Sequence, residues 1–204
     1  GSSDASSGSY ISTTGGYLDS SWFNRTFWQA GRAKTSGLMV LDDDAAYGVE
    51  QYESRSRETV FRPAANVYRL RCIPLTAPEP KPAAARRRNR EPAARWEQHL
   101  GIRVTAMVRA ADTIFVAGSP DVIAPDDPEA AWEGRLGGVL AAFSAEDGSK
   151  RTEVKLPAPP VWDGMAAANG RLYISLMDGA VLCLGGASRQ GSSESKAAAR
   201  SVGF

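Results

Sequence analysis

The sequence predicts an all-β protein built from about three repeated four-stranded antiparallel meanders. Three observations predict it: turn dipeptides at hairpin spacing, apolar residues alternating with period two, and one hairpin that recurs along the chain. All three meet in residues 160–186, PVWDGMAAANGRLYISLMDGAVLCLGG. Asn169-Gly170 and Asp178-Gly179 tolerate the positive φ angles of tight hairpin turns, and they divide the segment into three strands. The middle run, residues 171–176, alternates as a strand does when one face lies on a core.

Composition sets the outer limits. The chain has 204 residues, 43% of them hydrophobic, enough for a folded core. A formal net charge of +1 argues against a protein whose task is to neutralise phosphates. The sequence has no run of eighteen apolar residues, so no transmembrane segment is expected, and its first residues lack the basic start and apolar core of a signal peptide. Cys72 and Cys183 are too few for a disulfide framework and too far apart for zinc-type spacing. A buried free thiol is expected at each, with a mutual disulfide as the alternative.

In chain order, residues 1–20 are rich in Ser, Gly and Thr and read as a flexible leader, unless Tyr10 and Ile11 add to a sheet edge. Trp22, Phe23, Phe27 and Trp28 follow, interleaved with Asn24, Arg25 and Arg32, as core aromatics or as a ligand platform. Next comes the repeated hairpin. The run AMVRAADTIFVAG matches MAAANGRLYIS at an offset of 58, pairing Met107 with Met165 and Phe115 with Tyr173. LMVLDDDAAYGV matches the former at an offset of 68, pairing Met39 with Met107 and Tyr47 with Phe115.

Each hairpin is followed by an apolar third strand at about residues 67–72, 139–143 and 181–184. More polar fourth strands are expected at 95–102 and 150–156, as for outer strands with a wet edge. The blades thus run over about 21–102, 103–157 and 158–186, and residues 187–204 read as a loose tail. The connection between second and third strands is long in the first two copies, residues 51–66 and 119–138, and tight in the third. Equivalent loops of stacked repeats emerge on one side, which makes that side the expected interaction surface.

Between third and fourth strands of the first copy, residues 77–94 form a Pro- and Ala-rich linker with Arg86, Arg87, Arg88 and Arg90. Without nearby aromatics it reads as a solvated loop, and no nucleic-acid partner is expected. The single histidine, His99, falls on the polar fourth strand, a poor place for a catalytic triad. Asp42, Asp43 and Asp44 occupy the first hairpin turn, where Asp side chains bond backbone N–H groups; Asp126, Asp127 and Glu129 lie in the second long loop. Calcium is the alternative at both clusters.

Meanders repeated around an axis are the blades of a β-propeller. The segment VLAAFSAEDGSKRTEVKLPAPPVWDGMAAANGRLYISLMDGAVLCLGG resembles the repeat of pyrroloquinoline-quinone-enzyme-like propellers, with an apolar strand, an Ala-x-Asp-Gly turn, an outer strand and a Gly-Arg-Leu-Tyr hairpin. LDSSWFNRTFWQ, AMVRAADTIFVAGSPDV and PPVWDGMAAANGRLYIS resemble the propeller proteins of planctomycete-type bacteria, and the likeness covers most of residues 17–186. It implies an exported, extracytoplasmic setting.

Quinone enzymes of this type hold the cofactor between a Trp floor and a vicinal Cys-Cys disulfide, with Ca²⁺ on Glu, Asn and Asp. The chain has no adjacent cysteines, and Cys183 aligns with Ala141 while Cys72 aligns with Ser144, so neither quinone nor Ca²⁺ is expected. The outer strand 150–156 also lacks the Trp that the family often carries there. Three blades do not close a ring of four to eight, so further blades are expected, supplied by residues 10–14 with the aromatic cluster, by another chain or segment, or by self-association.

Trp162 and Asp163 are what the third copy has beyond the repeat, since Asp163 aligns with Thr105 and Gly37. Together with Trp22, Arg25 and Trp28 they are the candidate ligand-binding residues; no catalytic or metal-binding residue is assigned. The expected function is a non-catalytic module that binds or scaffolds a protein or carbohydrate ligand. The alternative is an enzyme at the propeller mouth, either a degenerate quinone-dependent oxidoreductase or a polysaccharide lyase or hydrolase.

Overall fold

A computed structural model describes residues 12–13, 28–31, 33–51, 64–75 and 93–185. Among them every regular element is a strand, arranged in four antiparallel sheets whose strand order follows the chain. The first sheet is β1 (Ser12–Thr13), β2 (Trp28–Ala30) and β3 (Ala33–Thr35). The second is β4 (Met39–Leu41), β5 (Ala45–Glu50), β6 (Arg69–Pro74) and β7 (Trp96–His99). The third is β8 (Ile102–Ala110), β9 (Thr113–Pro120), β10 (Gly138–Ser144) and β11 (Lys150–Leu156). The fourth is β12 (Pro160–Ala168), β13 (Arg171–Leu176) and β14 (Val181–Gly185).

Two details depart from the sequence reading. β1 lies inside the stretch read as a leader, pairing Ser12 with Gln29 and Thr13 with Trp28. It and β2–β3 form a sheet of their own ahead of the first recognised repeat, so the span 21–102 holds parts of two sheets. A two-residue polar strand has no alternation by which a sequence pattern reveals it. The third repeat has three strands rather than four among the described residues.

The sheets stack in sequence, each burying a face on the next. Tyr47, Val49, Leu70 and Cys72 of the second sheet share a core with Val104, Met107, Ile114, Val116, Ala141 and Phe143 of the third. The third sheet's other face, with Ala106, Ala117 and Leu140, packs on Met165, Leu172, Ile174 and Leu176 of the fourth. Ala33 of the first sheet meets Ala46 and Ile73 of the second. Alternation assigns the faces: on β9, Ile114 and Val116 point back to the second sheet while Phe115 and Ala117 point forward to the fourth. Full burial of side chains such as Leu70, Ile114 and Ile174 contributes roughly 1.5–3 kcal/mol each.

The innermost strands carry β-bulges. On β8 the register shifts between Val104 and Ala106, so Thr105 is extra and the facing parity inverts. Before it Ile102 and Val104 point to the second sheet; after it Met107 does. On β12 the shift is larger: Pro160 pairs with Leu176 and Met165 with Ile174, leaving residues 161–164 opposite Ser175 alone.

Register also corrects the cysteine alignment. Tyr47 pairs with Cys72, Phe115 with Ala142, and Tyr173 with Cys183. The two cysteines therefore occupy one repeat position, beside the repeated aromatic, and not the separate positions that sequence offsets gave. Loops of unequal length before each third strand had shifted the offsets. Both thiols are free, yet Cys72 is buried and Cys183 exposed, against the expectation of burial at each. The difference follows from the stack: the third sheet covers Cys72, and no described residue packs over the equivalent face of the fourth.

Candidate functional site

The ends of β5 and β9 and the starts of β8 and β12 gather at one end of the stack, where both long loops emerge. The loops meet there: the Ala64 N–H donates to Asp121 Oδ1 at 2.8 Å. Residues 121–137 form a compact run of turns, tied by the Arg135 N–H to Ala130 O at 2.8 Å and Glu133 N–H to Glu129 O at 2.9 Å. Gly134, at φ +82°, lies so close to Pro159 that a Cβ would stand 2.9 Å from Pro159 Cγ. The loop is thereby seated against the start of β12, and Thr105 Oγ1 donates to Pro160 O at 3.2 Å beside it.

A shallow depression opens beside the second loop, lined by Tyr68, Arg103, Asp121 and Trp132 with Pro120, Val122, Pro128 and Ala131. The Arg103 guanidinium lies 4.0 Å from the centre of the Trp132 ring, and its Nη2 donates to Trp132 O at 3.1 Å. Burial, with the nearby Asp121 charge, pushes the Tyr68 hydroxyl up to about 12, so it holds its proton at neutral pH. Burial pulls Arg103 down from its ordinary value, opposed by Tyr68 and Asp121.

Along the same end, the β12 bulge displays Trp162, 61% exposed, and Asp163 at φ +53°. Asp163 is exposed and makes no hydrogen bond or ion pair among the described residues. Val161, Met177 and Val181 are exposed nearby, the Met177 N–H donating to Pro159 O at 2.9 Å. Left-handed backbone at a non-glycine residue is costly by roughly 1–3 kcal/mol, and it turns Trp162 and Asp163 out of the sheet.

The other candidates do not join them. Trp28, on β2, is 40% exposed and separated by two whole sheets from the one that carries Trp162 and Asp163. Trp22 and Arg25, like Arg86, Arg87, Arg88 and Arg90, lie outside the described residues. His99 is exposed on β7, its Nδ1 3.3 Å from Asn66 O. Tyr68, Arg103, Asp121 and Trp132 were not singled out by sequence reasoning. Their one visible signal is position: each stands in, or directly beside, a long loop or the strand start it covers.

In each acidic cluster one member is tied to the protein itself. Asp42 Oδ1 accepts the N–H groups of Asp44 and Ala45 at 2.9 and 2.6 Å, and Oδ2 accepts the Tyr47 hydroxyl at 3.0 Å and pairs with Arg109 at 3.1 Å. Burial raises its pKa, but these partners outweigh burial and leave it below the ordinary value. Asp127 is held by a two-pronged contact from Arg135, 3.0 and 2.6 Å, which lowers it. Among the described residues no three His, Cys, Asp or Glu side chains group to hold a metal ion. No helix among them is long and apolar enough to cross a membrane.

One further contact escaped the sequence reading. Trp96, on the outer strand β7, reaches the β10–β11 turn of the next sheet, donating from Nε1 to Ala145 O at 3.0 Å. Gly148 at φ +74° leaves room for the ring, since a Cβ there would lie 2.5 Å from Trp96 Cε3. No family model matches the chain, and no curated protein matches it.

Proposed function

We propose that the chain is a β-propeller-type module of the quinoprotein-like repeat class that binds a ligand or protein partner rather than catalysing a reaction. The observation that carries the reading is one interface used repeatedly. Tyr47 packs forward onto the third sheet, Phe115, its repeat equivalent, forward onto the fourth, and Tyr173 stands at the same position on a face that no described residue covers. Further sheets of the same kind, from another chain or segment or from self-association, are the natural cover. The Trp96 contact supports the reading: the resembled family often carries a Trp on its outer strand, and here it lands on the Ala-x-Asp-Gly turn of Ala145 to Gly148.

Ligand meets the end that bears Tyr68, residues 119–138 and the Trp162–Asp163 bulge. Binding fits that end better than catalysis does. The depression sets a protonated tyrosine beside an arginine stacked on Trp132 and an aspartate engaged with the Ala64 N–H, groups placed to hold a ligand. An extracytoplasmic setting belongs to the proposal through the resemblance alone.

Thiol reactivity tests the reading. Cys72 and Cys183 share a repeat position, so Cys72 reports a covered face and Cys183 the uncovered one. Maleimide labelling of the assembled protein is expected to spare both until dilution releases Cys183. Labelling of Cys183 at the rate of a free thiol, at every concentration and with any co-purifying chain present, contradicts it.

A further inference from the structure

The depression at the loop end has a wall group with no partner among the described residues. Tyr68 is 5% exposed, what remains accessible of it lines the depression, and its hydroxyl has no hydrogen-bond partner among the described residues. The hydroxyl is not sealed from solvent, so a group seated in the depression can reach it. Around it, Asp121 uses Oδ1 on the Ala64 N–H and keeps Oδ2 as an acceptor. Arg103 is held flat by Trp132, so its remaining N–H groups are donors at a fixed place.

The charges decide the ligand class. Arg103 discourages a cation and Asp121 an anion, and together they leave the depression without net charge. What it offers is a hydroxyl, an acceptor and fixed donors beside the apolar surfaces of Pro120, Val122 and Trp132. Adjacent hydroxyls backed by an apolar C–H face are the complement, and a pyranose ring presents both. We infer that Tyr68, Arg103, Asp121 and Trp132 form a subsite for one neutral sugar ring. The inference rests on the reading of this end as a binding face, and it names the ligand.

The test titrates the full chain with neutral gluco-, manno- and galacto-configured trisaccharides, a uronic trisaccharide, and one acidic and one basic nonapeptide. Calorimetric heat and tryptophan fluorescence follow binding. A neutral trisaccharide is expected to saturate the protein, with Tyr68→Phe and Asp121→Asn each weakening it about tenfold while the melting temperature holds. Tyr68→Phe keeps the packed ring, and Asp121→Asn keeps an acceptor for Ala64, so either variant decides if the other melts early. Binding of a neutral sugar that Trp162→Ala weakens and Tyr68→Phe does not overturns the subsite and leaves the binding face standing. Preference for a charged sugar or a peptide overturns the ligand class. No binding by any member of the panel overturns both the subsite and the ligand class.

Discussion

At the scale of single residues, several side chains that look reactive are fasteners. Asp42 ties its own hairpin turn and, through Arg109, reaches across to β8 of the next sheet. Its folded pKa lies below the ordinary 3.8. Its contribution is therefore fully present above the unfolded value and is lost as pH falls through the folded one. Asp42→Asn is expected to lower stability at pH 7 by about 1–2 kcal/mol, with the gap to wild type narrowing as pH falls. Urea unfolding at pH 7, 4 and 3 measures it; a gap that widens in acid contradicts it. Gly148 makes a second case. A methyl there meets both a left-handed backbone and the Trp96 ring, so Gly148→Ala should cost roughly 1–3 kcal/mol, and a change under 0.5 would refute the Trp96 dock.

These residues differ in how far the sequence betrayed them. The turn role of Asp42 was readable, because the hairpin alignment placed three aspartates where dihedrals are unusual. Trp96 was not, because its partner Ala145 is 49 residues away and belongs to another sheet. Tyr68 was hidden for the same reason: only folding sets Asp121 and Arg103 beside it.

At the scale of elements, the hairpins β4–β5, β8–β9 and β12–β13 were legible from period-two alternation and turn dipeptides, while third-strand register was not. Register depends on loops whose lengths differ between copies, which is why Cys72 and Cys183 were set apart although each pairs with the repeat aromatic. The bulges invite a sharper test. β8 has one extra residue against β9, and β12 has three against β13. Deleting Trp162 and Asp163 together should convert the second into the first, preserving facing parity. The deletion is expected to melt within a few degrees of wild type and to lose ligand. Unfolding instead would show that the wide bulge is structural.

At the scale of the molecule, four sheets stack in chain order among the described residues, and the all-β architecture was legible in the sequence. The first sheet was legible only as one alternative, residues 10–14 pairing with the aromatic cluster, since β1 has only two residues. Among the described residues the stack ends on a face where Tyr173, Cys183 and Val181, the last 66% exposed, stand where Tyr47 and Cys72 are buried two copies earlier. Exposed apolar sheet faces of this kind mark interaction surfaces. The molar mass of the full chain in solution, by light scattering across concentration, tests this most directly. The account predicts species above the monomer mass of 21.7 kDa that Tyr173→Arg returns to that value. A stable, cooperatively unfolding 21.7 kDa monomer at every concentration, unchanged by Tyr173→Arg, would contradict it.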